Sequence, residues 1–405
     1  MERTKPRDGV GRSDDDDRRW QVFEWVGETL SDPGAWATPP GGWKEALEYV
    51  PGDVLPMLAH RLDEARAPLP DEVEEQLKQV RRAAAMRGIM VRRALTAVDA
   101  CLDAEGIRCI WLKGAALRSQ IYPDPFLRPM EDLDVCVPAE LLPAAAAAAG
   151  SIGYLEERYV RVAEEASGHP KARLISRSFP RVPLEIHGVP HSLQGLPPAF
   201  VQGMWERAVP LDGTRGAALS PTDTILHLCL HLSRHHRFAL GLRPLLDISL
   251  AVSRWKEVID WPTWCNEVHG AGASASVWLP LRLSASIFRA DVPVYVMDSL
   301  RPESSAHSLL ALARDQFEDT LELPGFLERL VGGQPAGASL GGASMWWRAA
   351  RHLPNKVRHY AARIRFGQIP MTGWRRITRL ARGRRRLSDA LRDVDGMGPT
   401  EDGSE

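Results

Sequence analysis

Pro129-Met130-Glu131-Asp132-Leu133-Asp134-Val135-Cys136-Val137 alternates acidic and apolar side chains from Asp132 onward. A period of two is the pattern of a β-strand. On a strand Asp132 and Asp134 project from one face while Leu133, Val135 and Val137 line the other. Two ionised carboxylates held that close repel each other, and the usual remedies are a shared proton or a cation between them. A divalent ion turns the cost into a binding site, and hard oxygen donors suit Mg²⁺.

Upstream, residues 107–112 form a short apolar run suited to a buried strand, and 115–121 return to helical pattern. Between them sits Lys113-Gly114. A glycine in a strand-to-helix turn lets a phosphate approach the backbone, the helix start offers N–H groups, and Lys113 adds a cation. The segment from Tyr122 to Pro129 carries three prolines and cannot be regular. Downstream, Pro138 opens an alanine-rich helix to Ala149, and extended segments follow at 155–162, 172–179 and 182–187. Strand, helix, strand, helix and further strands predict an α/β or α+β core. Glu185 stands on the last of these strands and His187 shares its face. Arg128 is placed to neutralise the acids, clamp Asp132 or Glu131, or touch a phosphate.

The flanks read as helical. Residues 1–45 look weakly structured apart from a short helix over 20–30, and 46–105 are helical, with Asp71–Ala104 the longest stretch and Gly106 closing it. Ser220-Pro221-Thr222-Asp223 is a strong helix start, and a helical region spans 219–330, its second helix over 242–255. Residues 331–344 resemble a linker, 345–392 a basic helical segment, and 393–405 a disordered tail. From Arg348 to Arg386 there are thirteen Lys or Arg and no acid; against a net charge of −1, that leaves −14 on the rest of the chain. Such a segment seeks an anionic partner or packs on the acidic body. His227, His231 and His235 recur every four residues on one helix face, a spacing that holds either a metal or a packed, ion-paired row with Asp247 as acceptor.

The 405 residues are 44% hydrophobic and 25% charged, the composition of an ordinary globular protein of two or three domains. Five cysteines without a CxxC pair suggest neither a disulfide framework nor a structural zinc, which fits a cytoplasmic protein. No apolar run suits a signal peptide or a transmembrane segment.

Leu112-Lys113-Gly114-Ala115-Ala116-Leu117, Tyr122-Pro123-Asp124-Pro125, Arg128 through Val135, Leu184-Glu185-Ile186-His187 and Leu226 through Leu232 resemble, in order, the uncharacterised nucleotidyltransferase family of the polymerase-beta-like superfamily. The resemblance covers roughly 107–255. It implies an α+β fold: a minimal nucleotidyltransferase core over 106–218, a short mixed sheet flanked by helices, with helical regions before and after it. It also implies a nucleotide phosphate site at Lys113, Gly114 and Ala115, with Arg128 close by, and three carboxylates, Asp132, Asp134 and Glu185, for two metals. Where the wider superfamily usually has Gly-Ser or Gly-Gly, this chain has Gly114-Ala115, which shifts the phosphate contacts toward Lys113 and backbone N–H groups.

The expected reaction is transfer of a nucleoside monophosphate from an NTP, ATP first among them, to an acceptor by an Mg²⁺- or Mn²⁺-dependent two-metal mechanism. Asp132 and Asp134 bridge the ions, and Glu185 completes the second or takes the proton of the attacking hydroxyl. The acceptor is a small molecule, peptide, protein or RNA, met by the helical region after 219. The alternatives are a degenerate nucleotide- or partner-binding protein and a nucleic-acid-binding module acting through the basic segment.

Overall fold

In the computed structural model the described residues are 14–316, with breaks at 33, 35, 157–170, 178–181, 194, 239 and 304, together with 383 and 385–396. The linker at 331–344 and nearly all of the basic segment lie outside them. The helices are α1 (Asp14–Ser31), α2 (Trp43–Tyr49), α3 (Leu55–Glu64), α4 (Asp71–Ala104), α5 (Gly114–Gln120), α6 (Leu142–Ser151), α7 (Pro198–Glu206), α8 (Pro221–Leu230), α9 (Arg243–Trp255), α10 (Trp261–Gly270), α11 (Ser274–Phe288) and α12 (Val294–Leu300). The strands are β1 (Ile110–Trp111), β2 (Leu133–Cys136), β3 (Tyr154–Glu156), β4 (Lys171–Ser176), β5 (Leu184–His187), β6 (Val209–Pro210) and β7 (Ala217–Ala218).

The fold is α+β. One mixed sheet runs β3-β4-β5-β2-β1-β7-β6. β2 is parallel to β5 and antiparallel to β1, and β4 is antiparallel to β5. α4 matches its expected bounds because its apolar stripe and its ends agree. Val91, Leu95, Val98 and Leu102 are buried at three- and four-residue spacing, and Asp71, Glu72 and Glu74 sit in its first turn, where the helix dipole favours acids.

The sheet separates two cores. Trp111, Leu133 and Val135 pack with α4 and α6 on one side, while Ile110, Leu112 and Cys136 join a larger core shared with the helical half. Residues 109–112 are continuously apolar because successive side chains enter opposite cores. On β2 the same alternation leaves Asp134 on the side of Cys136, facing the helical half.

Two expectations are corrected. The helix expected over 20–30 begins six residues earlier than expected. α1 starts at Asp14 and buries Val22, Phe23 and Val26 completely. A Cβ at Gly27 would lie 1.7 Å from the carbonyl oxygen of Ile287, so glycine is what lets α1 rest on α11. The acidic run before Trp20 hid the start of this helix, since it reads as solvated chain. At the other end, residues 385–395 are helical, with Leu387 and Leu391 buried. The disorder expected from Asp393 therefore fails for 393–396. The fully buried Asp395 carboxylate accepts the N–H of Ala275 (2.8 Å) and of Ser276 (3.3 Å), capping α11 from 120 residues away.

No helix among the described residues is long and apolar enough to cross a membrane. All five cysteines are free thiols.

Candidate active site

Strand register assembles the site. In the parallel pair β2–β5, Asp134 lies opposite Glu185 and Cys136 opposite His187; in the antiparallel pair β4–β5, Arg173 lies opposite Glu185 and Lys171 opposite His187. Cross-strand partners share a face, so two carboxylates, an imidazole and two cations converge on one patch of sheet. Oxygens of Asp134 and Glu185 and a nitrogen of His187 all lie within 4.8 Å of one another. Asp132 stands one residue before β2 and falls outside that set. It is still close enough for the charges of Asp134 and Glu185 to act on it.

Asp134 is the hub. Its Oδ1 accepts the Lys113 ammonium at 2.7 Å and His187 Nε2 at 2.9 Å. Burial raises its pKa, but Lys113 and His187 outweigh that and hold the carboxyl well below its ordinary range. Burial lowers His187 despite the Asp134 bond, which favours the neutral imidazole. Glu185 accepts Lys171 at 2.7 Å, with Arg173 at 3.7 Å, and is also held below the ordinary carboxylate range.

Asp132 is the exception. Burial, reinforced by Asp134 and Glu185, pushes its carboxyl up to about 6. Folding therefore favours the protonated form. The cost of ionised Asp132 is absent below the unfolded carboxylate range near pH 4, grows as pH rises, and is complete above about pH 6. In metal-free buffer at pH 7.5, Asp132→Asn is expected to stabilise the protein by about 1–2 kcal/mol, with no gain at pH 4. Denaturant unfolding at the two pH values measures this; a destabilised variant at pH 7.5 contradicts it.

The three carboxylates fit a hard divalent ion. Their oxygens are the right donors, and ionised Asp132 is short of positive charge in a way a dication corrects. Lys113, not Gly114, adopts the positive φ at the turn (48°), a conformation that costs on the order of 1–3 kcal/mol for a side-chain-bearing residue and clusters at functional sites. Gly114 is required for space, because a Cβ there would lie 2.0 Å from Arg128 Nη1 and 2.9 Å from Met130 Sδ. The Ala115 N–H already donates to the Leu112 carbonyl at 3.1 Å.

Arg128 is not brought to the carboxylates. Its guanidinium forms a buried two-pronged pair with Asp247 on α9, Nε to Oδ1 at 2.9 Å and Nη2 to Oδ2 at 2.6 Å, and the Tyr122 hydroxyl donates to the same Oδ1 at 2.7 Å. Asp247 is thus the clamp of the proline-rich loop and not the acceptor expected for the histidine row.

Sequence reasoning missed Lys171 and Arg173, which alternate with apolar residues on β4 and were legible as a charged strand face. It also missed that the histidine row reaches the site. His227, 2% exposed, bonds Ser192 through Nδ1 at 2.6 Å, and among the described residues its Nε2 has no hydrogen-bond partner. Burial, then the nearby Lys113 charge, drives its pKa down to about 3.

The model of the uncharacterised nucleotidyltransferase family matches residues 42–289, a span that holds every group of this site and extends beyond 107–255 on both sides. No curated protein and no solved structure matches the chain.

Proposed function

The chain belongs to the uncharacterised nucleotidyltransferase family, and from that premise we propose that it transfers a nucleoside monophosphate from an NTP to an acceptor hydroxyl or phosphate. The acceptor oxygen–phosphorus bond forms as the α–β phosphoanhydride bond breaks, and pyrophosphate leaves. The observation that carries this reading is the convergence of Asp134 and Glu185 across neighbouring parallel strands, with Asp132 beside them and Lys113 at the start of α5.

Asp132, Asp134 and Glu185 are the residues that would hold Mg²⁺ or Mn²⁺. A bound dication supplies Lewis-acid neutralisation of charge on the transferring phosphate. Glu185, paired with Lys171 and held ionised, suits a ligand role better than the proton-acceptor role its position first suggested. Lys113 neutralises Asp134 in the free protein, and its ammonium sits where phosphates would meet the turn. The Gly114 N–H and Lys113 are the phosphate contacts we assign, and ATP is the nucleotide we expect. The carboxylates face the helical half, so the acceptor enters from there.

ATP with Mg²⁺ is expected to raise the unfolding free energy by about 2.7 kcal/mol when ATP is a hundredfold above its dissociation constant. Either component alone gives a smaller shift, and Asp134→Asn loses the cooperation between them. Thermal unfolding of both proteins, with each component and with the pair, reads this. An equal shift in the variant contradicts the assignment of the ion to these carboxylates.

A further inference from the structure

His227, His231 and His235 recur at four-residue spacing, and His236 follows directly. α8 ends at Leu230, and His231–His235 continue it as one π turn. The His236 N–H donates to the His231 carbonyl at 3.0 Å, a bond spanning five residues. On an α-helix a residue five positions on points well away from the first, since each step rotates the chain by about 100°. Closing the turn over five residues brings positions four and five along to either side of it. His231, His235 and His236 converge as a result. Ring centroids are 5.2 Å apart for His231 and His235, and 4.3 Å apart for His231 and His236 and for His235 and His236. One ring nitrogen of each lies within 4.8 Å of the other two, and all three residues are partly open to solvent.

The turn is held at a cost. Arg237 and Phe238 both adopt positive φ (51° and 61°), a conformation that costs on the order of 1 kcal/mol or more at each non-glycine position. The surroundings enforce it. Phe238 is fully buried, and its N–H bonds the Leu232 carbonyl. Arg234, inside the turn, is tied to the Gly272 carbonyl at 2.7 Å, to Ser276 Oγ at 3.0 Å and to Asp395 at 3.1 Å. The π turn closes the C-terminal end of α8, and strained backbone over-determined by its neighbours in this way clusters at ligand sites.

We propose that His231, His235 and His236 form a three-imidazole site for a borderline divalent transition-metal ion, separate from the carboxylate cluster. Imidazole nitrogens select Zn²⁺, Ni²⁺ or Cu²⁺, whereas Mg²⁺ prefers the oxygens of Asp132, Asp134 and Glu185. Three nitrogen ligands leave a position open for water or an incoming ligand. His227 stacks on His231 with ring centroids 5.7 Å apart, and the Lys113 and Asp134 charges act on it. The site follows from the turn geometry and stands whether or not the carboxylates are catalytic.

The test uses untagged full-length protein, stripped with a chelator and titrated with Co²⁺ in excess Mg²⁺. One equivalent is expected to bind with the visible absorption of a low-coordinate, nitrogen-rich site, and Zn²⁺ displaces it. His235→Asn and His236→Asn, made separately, are each expected to weaken binding on the order of 100-fold or more. Asp134→Asn leaves it unchanged. No stoichiometric uptake, uptake that survives both histidine variants, or loss in Asp134→Asn overturns the proposal. X-ray absorption of the Zn²⁺-loaded wild type needs no variant to fold. Scattering from three imidazoles supports the site, and an oxygen-only shell rejects it.

Discussion

Asp132→Asn and Asp134→Asn are each expected to lower nucleotidyl transfer by about 10³-fold or more, the loss of roughly 4 kcal/mol of charge stabilisation on the transferring phosphate. The two variants reach that result from opposite structural directions, which is what makes the pair informative. Asn at 132 removes the carboxylate that burial and its neighbours have pushed up to about 6, so the metal-free fold gains stability as activity disappears. Asn at 134 removes the acceptor shared by Lys113 and His187, so the fold loses two charge-assisted bonds. It also relieves repulsion on Asp132 and Glu185, which offsets part of that loss. A residue whose removal stabilises the protein and silences it is behaving as a functional residue that strains its fold. Turnover within tenfold of wild type in either variant contradicts the assignment.

The second large effect belongs to Arg128, expected near the phosphate site or as a clamp, whose guanidinium is paired with Asp247. Arg128→Ala and Asp247→Ala are each expected to destabilise the protein by about 3–5 kcal/mol, because each strands a buried, uncompensated charge. The pair joins the proline-rich loop before β2 to α9, so it fixes the approach of the strand that carries Asp134. Tyr122→Phe removes one hydroxyl bond to Asp247 and is expected to cost about 1 kcal/mol. The double change Arg128→Met with Asp247→Leu recovers most of the loss, since no charge is then left alone. Denaturant unfolding of the four variants measures this. Single variants within 1 kcal/mol of wild type contradict the clamp. A folded Arg128 variant with altered nucleotide affinity alone returns Arg128 to the phosphate site.

Local rules carried the sequence reading as far as local rules reach. α4 was legible to the residue because its stripe, acidic first turn and closing glycine all agree. Asp134 was legible because period-two alternation survives in β2, Glu185 was implied by the family resemblance, and their adjacency follows once β2 and β5 are parallel neighbours. β6 and β7 were not legible, since two-residue strands such as Val209–Pro210 carry no periodicity and exist only because β1 offers an edge. The partner of Arg128 lies 119 residues away, and no spacing rule reaches that far. His236 joined the histidine row only through a π turn, which changes the helical period at the point where it matters. The acidic start of α1 looked like solvated chain because charge near Trp20 outweighed the apolar stripe that follows.

The central claim is that the carboxylates of β2 and β5 serve transfer of a nucleoside monophosphate. It is tested most directly by incubating the wild-type protein, Asp132→Asn and Asp134→Asn with NTPs labelled separately at the α- and γ-phosphates, in Mg²⁺ or Mn²⁺ with a host extract as acceptor source. The account predicts that the α-label enters an acceptor, that the γ-label leaves as pyrophosphate, and that both events vanish in the variants. Transfer of the γ-label, retention of α-label transfer in either variant, or no α-label transfer from any of the four common NTPs contradicts it.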